Sequence, residues 1–188
     1  TSTGMQLHTA ISTSGSLHSN NVIRDNNIYN WTDYGIYVYN NTAGPNWEIS
    51  GNSFFYNRGN LTASNSPVGI YFSPAGSSHS NTIHGNYIGG TSPLGGTDAQ
   101  PWVIGNSSIV AAKNITGIYL NVATTQTSYV TSNTIQNISL ETAGGNSSLT
   151  GIWSAEGLVS IGVNSLGNAA GNLIGDSVSA YPGKWISI

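Results

Sequence analysis

The 188-residue chain has no cysteine, a single methionine and only 11 charged side chains among Asp, Glu, Lys and Arg. Without cysteine there is neither a disulfide frame nor a thiolate metal site. Charged residues make up 6 % of the chain, against about 25 % in an ordinary domain. Helix surfaces are built from Glu, Lys, Arg, Gln and Ala, so this composition is hard to fold as helices. The four bases, Arg24, Arg58, Lys113 and Lys184, are scattered. Nucleic-acid binding needs a cluster of phosphate contacts, which they do not supply. No apolar run approaches about 18 residues, so no transmembrane span is expected. No basic and then apolar leader opens the sequence, so any signal peptide is expected to be removed or to lie upstream.

What the chain has in quantity is Asn (23), Ser (27), Thr (18) and Gly (24). These residues hydrogen-bond into turns or suit strands. Disorder is disfavoured, because 38 % hydrophobic residues, with five Trp and ten Tyr, can fill a core and the net charge is only −3. One all-β domain over residues 1–188 is the expectation.

Two phrases alternate along the chain. The first is an apolar residue, two small or polar residues, then Asn-x-apolar. It reads Ile23 to Ile28 around Asn26, Ile49 to Phe54 around Asn52, Ile83 to Ile88 around Asn86, and Val130 to Ile135 around Asn133. The second is Gly, an apolar residue, an aromatic residue and usually another apolar one. It occurs at Gly35–Val38, Gly69–Phe72, Gly117–Leu120 and Gly151–Ser154, with Gly4–Leu7 as a weaker first copy. From the second phrase to the next first phrase the step is 11, 11 and 10 residues, whereas the return gap holds 6, 14, 28 and 15. A coil with a regular wall and one side open to insertions behaves this way.

Each phrase carries two or three alternating apolar positions bounded by Gly, Asn or Ser, which reads as short strands. Stacked as turns of a solenoid, like phrases lie about 4.8 Å apart. Ile then meets Ile inside, and Asn26, Asn52, Asn86 and Asn133 form a ladder whose amides bond along the axis. The expected fold is a right-handed parallel β-helix of about five or six rungs, its hand following the general preference of parallel crossovers. In the last rung both Ile161–Leu166 and Ala169–Ile174 fit the first phrase, and the sequence does not choose between them. Neither end carries a polar cap, which a solenoid needs. The reading is a segment of a longer chain with neighbouring segments on either side.

The phrases NTIHGNYIGGTSPLGG (81–96), SNTIQNI (132–138) and GNLIGDS (171–177) resemble the parallel β-helix repeat proteins of bacterial surfaces. Within that group the chain is similar to large secreted surface proteins of Bacteroidetes, of the type IX export kind. The resemblance spans roughly residues 20–188 and implies an extracellular or cell-surface place, with adhesion or glycan contact as the role.

Carbohydrate-active enzymes are the catalytic rival on this fold. A hydrolase would need carboxylates converging on neighbouring rungs, and a lyase a basic residue beside an acidic calcium site. The acids Asp25, Asp33, Glu48, Asp98, Glu141, Glu156 and Asp176 share no repeat position. Asp25 aligns with Gly51, Gly85 and Ser132 and reads as a turn residue. His8, His18, His79 and His84 have no ligand-type partners at matching positions, so they read as surface histidines. No catalytic residue, metal or cofactor is assigned. Seven Asn-x-Ser/Thr sequons occur, about the number that composition gives by chance.

The aromatic positions carry more. If Ile36, Ile70, Ile118 and Ile152 point inward, then Tyr37, Tyr71, Tyr119 and Trp153 face outward on one line. At rung spacing they form a stripe about 15 Å long. Such a stripe either contacts sugars or pairs only with itself. Insertions at residues 55–68, 89–116 and 136–150 enter just before it and either wall a groove or bury it. The reading is a non-enzymatic structural or adhesin segment contacting glycans, or other surface proteins, through the stripe. The alternative is a β-helical polysaccharide lyase or glycoside hydrolase.

Overall fold

Each Asn-centred phrase becomes two very short strands separated by two residues, a left-handed one followed by the Asn. The left-handed residue is Asp25, Gly51, Gly85 or Ser132, with φ of 57°, 64°, 64° and 55°. Gly and short polar residues tolerate this region best, which is why the position never holds a large apolar side chain. The computed structural model describes residues 7–13, 19–39, 46–62, 66–74, 80–95, 100–143 and 146–175.

Three walls of five parallel strands result. The first wall stacks β2 (Val22–Arg24), β5 (Glu48–Ser50), β8 (Thr82–His84), β12 (Ser128–Thr131) and β16 (Val159–Ile161). The second stacks β3 (Asn27–Tyr29), β6 (Ser53–Phe55), β9 (Tyr87–Ile88), β13 (Thr134–Ile135) and β17 (Leu173–Ile174). The third stacks β1 (Leu7–Thr13), β4 (Trp31–Tyr39), β7 (Val68–Ser73), β11 (Asn114–Asn121) and β15 (Ser148–Glu156). The protein is a parallel β-helix, and among the described residues each wall is five strands deep.

Register follows the phrases. Ile23, Ile49, Ile83, Val130 and Ile161 oppose one another along the first wall. Ile28, Phe54, Ile88, Ile135 and Ile174 do so along the second. Ile11, Ile36, Ile70, Ile118 and Ile152 line the third. A one-residue slip would turn every one of these side chains outward, so burial fixes the pairing. The first copy of the second phrase therefore centres on Ile11. Gly4–Gln6 lie outside the described residues, and Leu7 pairs with Trp31 instead. The last rung is split between its two candidates. Ile161 continues the first wall and Asn172–Ile174 the second, while the residues between them loop out and pair locally, Val163 with Ala169.

The Asn ladder runs the length of the coil. Asn26 Nδ2 donates to Asn52 Oδ1 at 3.1 Å, Asn52 to Asn86 at 3.0 Å, Asn86 to Asn133 at 2.9 Å and Asn133 to Asn172 at 2.9 Å. Each acceptor oxygen also takes the backbone N–H of the preceding Asn. The second amide hydrogen of Asn52, Asn86 and Asn133 goes back to the carbonyls of Ile23, Ile49 and Ile83. Both donors and both lone pairs of each inner amide are thus used, which lets Asn52, Asn86 and Asn133 sit fully buried.

The glycines of the second phrase have a different cause. A Cβ on Gly69 would lie 2.6 Å from the Gly117 carbonyl oxygen and 3.1 Å from Ile88 Cδ1. Gly35 and Gly117 face the same pair of obstacles, a neighbouring carbonyl at 2.6 Å together with Phe54 or Ile135. Absence of a side chain here lets the second wall's apolar residue reach across the coil.

The insertions also stack. β10 (Trp102–Asn106) and β14 (Ile138–Thr142) pair in parallel, and Leu61 of the shortest insertion bridges onto Ile104. Leu61, Trp102 and Ile104 are fully buried in one core with the walls. Trp102 meets the edge of Trp31 at 4.9 Å and stacks on Tyr56 at 6.1 Å. Lys113 Nζ donates to the Thr62 carbonyl at 2.8 Å, tying two insertions together. Burial holds the Lys113 amine below its ordinary range.

Candidate functional site: the outer face of the third wall

The third wall presents its aromatic row as alternation demands. Ser12, Tyr37, Tyr71, Tyr119 and Trp153 are successive partners across β1, β4, β7, β11 and β15. A second outward row runs beside it through Tyr34, Val68, Thr116 and Thr150. Three of the stripe residues are partly exposed, and Trp153 is 52 % exposed.

The rings stand on edge and stack along the axis. Tyr37 and Tyr71 lie 5.0 Å apart and 25° from parallel, and Tyr71 and Tyr119 lie 4.6 Å apart and 5° from parallel. Tyr34 packs on Tyr37 at 4.6 Å and edge-on to Tyr71 at 5.5 Å, and Tyr39 stacks on Tyr37 at 5.9 Å. The inner tyrosine faces are therefore covered by neighbouring tyrosines, and what they turn outward is their edges. Trp153 differs, because Tyr119 meets it at 77° and 5.4 Å. Its indole is the ring of the stripe with area left for a ligand.

Crowding sets the electrostatics. Desolvation, followed by the neighbouring Tyr119 and Tyr37, raises the Tyr71 phenol to about 12, partly offset by its hydrogen bond with Ser73. Tyr37 is also raised, first by burial and then by Tyr34 and Tyr39. With both groups raised, Tyr37 and Tyr71 present neutral phenols, donors as well as acceptors, at neutral pH.

The acidic residues are distributed. Asp25 sits in its left-handed turn, and Asp33 on β4 pairs with His8 at 2.9 Å. Glu48 on β5 accepts the Ser50 hydroxyl at 2.6 Å. Glu141 and Glu156 lie on β14 and β15, while Asp98 and Asp176 fall outside the described residues. Among the described residues no group of three or more His, Asp or Glu could hold a metal ion, and no helix is long and apolar enough to cross a membrane.

Two relations escaped the sequence reading. His84 does have a carboxylate neighbour, since Glu48 Oε1 of the adjacent rung lies 3.6 Å from its Nε2. Glu48 aligns with Thr82, not with His84, so the contact is diagonal and a search at matching positions misses it. His8 with Asp33 is likewise displaced by the irregularity between Leu7 and Thr9. His18 and His79 lie outside the described residues. Two further Asn pairs, Asn46 with Asn20 and Asn30 with Asn57, extend the ladder principle to the outer corners.

No protein-family model matches the chain, and no curated protein or solved structure does either.

Proposed function

We propose that the chain is a rigid, non-enzymatic segment of a secreted or cell-surface bacterial protein, acting as a structural and adhesive element. Its contact surface is the outer face of the third wall, and its ligand class is glycan. The observation that carries this reading is the unbroken aromatic row Tyr37, Tyr71, Tyr119 and Trp153, one residue from each of four successive strands of the third wall. Phenol edges supply hydroxyls to sugar hydroxyls, and the open Trp153 indole supplies a platform for one sugar ring. A stiff coil suits this task, since the pre-formed row loses little freedom on binding. Neighbouring segments of a longer chain would extend the same rod.

A glycan array with the wild-type chain and the Trp153→Ala and Tyr119→Ala variants tests the reading, with far-UV circular dichroism confirming that each variant folds. Binding that falls at least tenfold in Trp153→Ala is the expected result. No bound glycan, or binding unchanged in both variants, overturns it. Depolymerisation of a polysaccharide by the wild-type chain would favour the lyase or hydrolase alternative.

A further inference from the structure

We infer that Tyr71 and Tyr119 form a site of oxidative cross-linking, a dityrosine staple between neighbouring rungs, in the presence of a peroxide and a one-electron oxidation catalyst. The chain has no cysteine, so a disulfide cannot join one rung to the next. The third wall instead places two phenols opposite each other on adjacent strands. Their rings are 4.6 Å apart and 5° from parallel, the closest to parallel of the stacked pairs along the wall. Both are partly exposed, so a small oxidant reaches them. Parallel in-register pairing holds them together permanently, and such enforced proximity replaces a bimolecular encounter by an intramolecular one.

The chemistry balances without help from any group in the protein. Each phenol gives one electron to the oxidant and its hydroxyl proton to solvent, leaving two phenoxyl radicals. An ortho carbon of one ring bonds to an ortho carbon of the other. Each new bonding carbon then loses its hydrogen as the ring regains aromaticity, and both hydroxyls are restored. The net change is loss of two hydrogen atoms, which one hydrogen peroxide takes up to give two waters. Because the new bond lies in the plane of each ring, the rings turn about their side-chain bonds, opening the stack until their ortho edges meet.

Closing a cross-link between residues 71 and 119 restricts the unfolded chain as a disulfide would, so the stapled protein unfolds at a higher temperature. The staple is independent of glycan contact.

The test treats the dilute full chain with hydrogen peroxide and a peroxidase, followed by trypsin and mass spectrometry. Cleavage after Arg58, Lys113 and Lys184 leaves Tyr71 in residues 59–113 and Tyr119 in residues 114–184. The expected product is a monomer lighter by two hydrogens in which these two peptides stay joined, with blue dityrosine fluorescence. Tyr119→Phe keeps the stacked ring and should lose the joined pair. The inference is overturned if the two peptides separate, if the joined pair persists in Tyr119→Phe, or if only dimers between chains form.

Discussion

Tyr71 and Tyr119 cover each other's faces, with centroids 4.6 Å apart and planes within 5°. Ring faces used in this way stabilise the wall itself, so the row turns ring edges outward except at Trp153. The same crowding has a titration consequence. Tyr71 is pushed up to about 12 by burial and its phenol neighbours, above its unfolded value of 10.0. A raised folded value means that the neutral phenol's contribution is intact below pH 10 and is lost as pH climbs through 12. Denaturant melts between pH 9 and 12 should show wild type losing stability faster than Tyr71→Phe, which has no proton to lose. Parallel curves for the two proteins would contradict the assignment.

Asn86 sits at the centre of the amide ladder, fully buried, donating to Asn133 and to the Ile49 carbonyl and accepting from Asn52. Replacing it by Ala strands the backbone N–H and one side-chain amide hydrogen of Asn52 in the core. Each stranded group costs about 1–3 kcal/mol, so Asn86→Ala should lose about 3 kcal/mol or more. Asn26 is exposed and ends the ladder. Water replaces its lost partners, and Asn26→Ala should cost about 1 kcal/mol or less. Chemical denaturation of the two variants measures the contrast directly.

The coil was legible because a solenoid writes each wall's period into the chain. Ile36, Ile70, Ile118 and Ile152 announce one stack, and Asn26, Asn52, Asn86 and Asn133 announce another. Where the period is interrupted, legibility ends. Leu61, Ile104 and Leu140 belong to one stack, yet their insertions differ in length and share no phrase, so only three-dimensional neighbours reveal it. The last rung was ambiguous for the same reason: a looped-out stretch put half of its phrase at Ile161 and half at Asn172. Outward aromatic residues could be placed on a line from alternation, but not their ring angles. Those angles are set by side-chain packing, and they decide which faces a ligand can touch.

Gly69 tests the close approach between rungs. A methyl group there would meet the Gly117 carbonyl oxygen at 2.6 Å, a backbone atom that cannot swing aside, and Ile88 at 3.1 Å. Overpacking of this kind costs about 1–3 kcal/mol, more where backbone must move, so Gly69→Ala should lose about 3 kcal/mol. Gly171 has open space around its Cβ position and no left-handed φ. Gly171→Ala should stay within about 0.5 kcal/mol of wild type. Equal melting temperatures for the two variants would show that the glycine phrase has another cause.

Glu48 gives the first wall a pH dependence whose sign is fixed by its partners. The Ser50 hydroxyl, 2.6 Å away, does most to hold its carboxyl below the ordinary value; desolvation opposes it next, and His84 and Arg24 add smaller lowering contributions. Because the folded value is depressed, the ionised carboxylate's contribution is present above the unfolded value of 4.5. It disappears as pH falls through the folded value. The side chain is 38 % exposed, so solvent screening keeps the effect small. Comparing wild type with Glu48→Gln, the stability difference at pH 6 should shrink steadily below pH 4.5 and vanish once the carboxyl is protonated in both states. Added salt should shrink it at pH 6 as well, since His84 and Arg24 act through solvent-exposed charge, while the Ser50 hydrogen bond should survive. A Ser50→Ala variant separates the two contributions: it should remove most of the acid-side slope that salt leaves behind. If instead high salt alone abolishes the whole difference, the charges and not the serine hold the carboxylate.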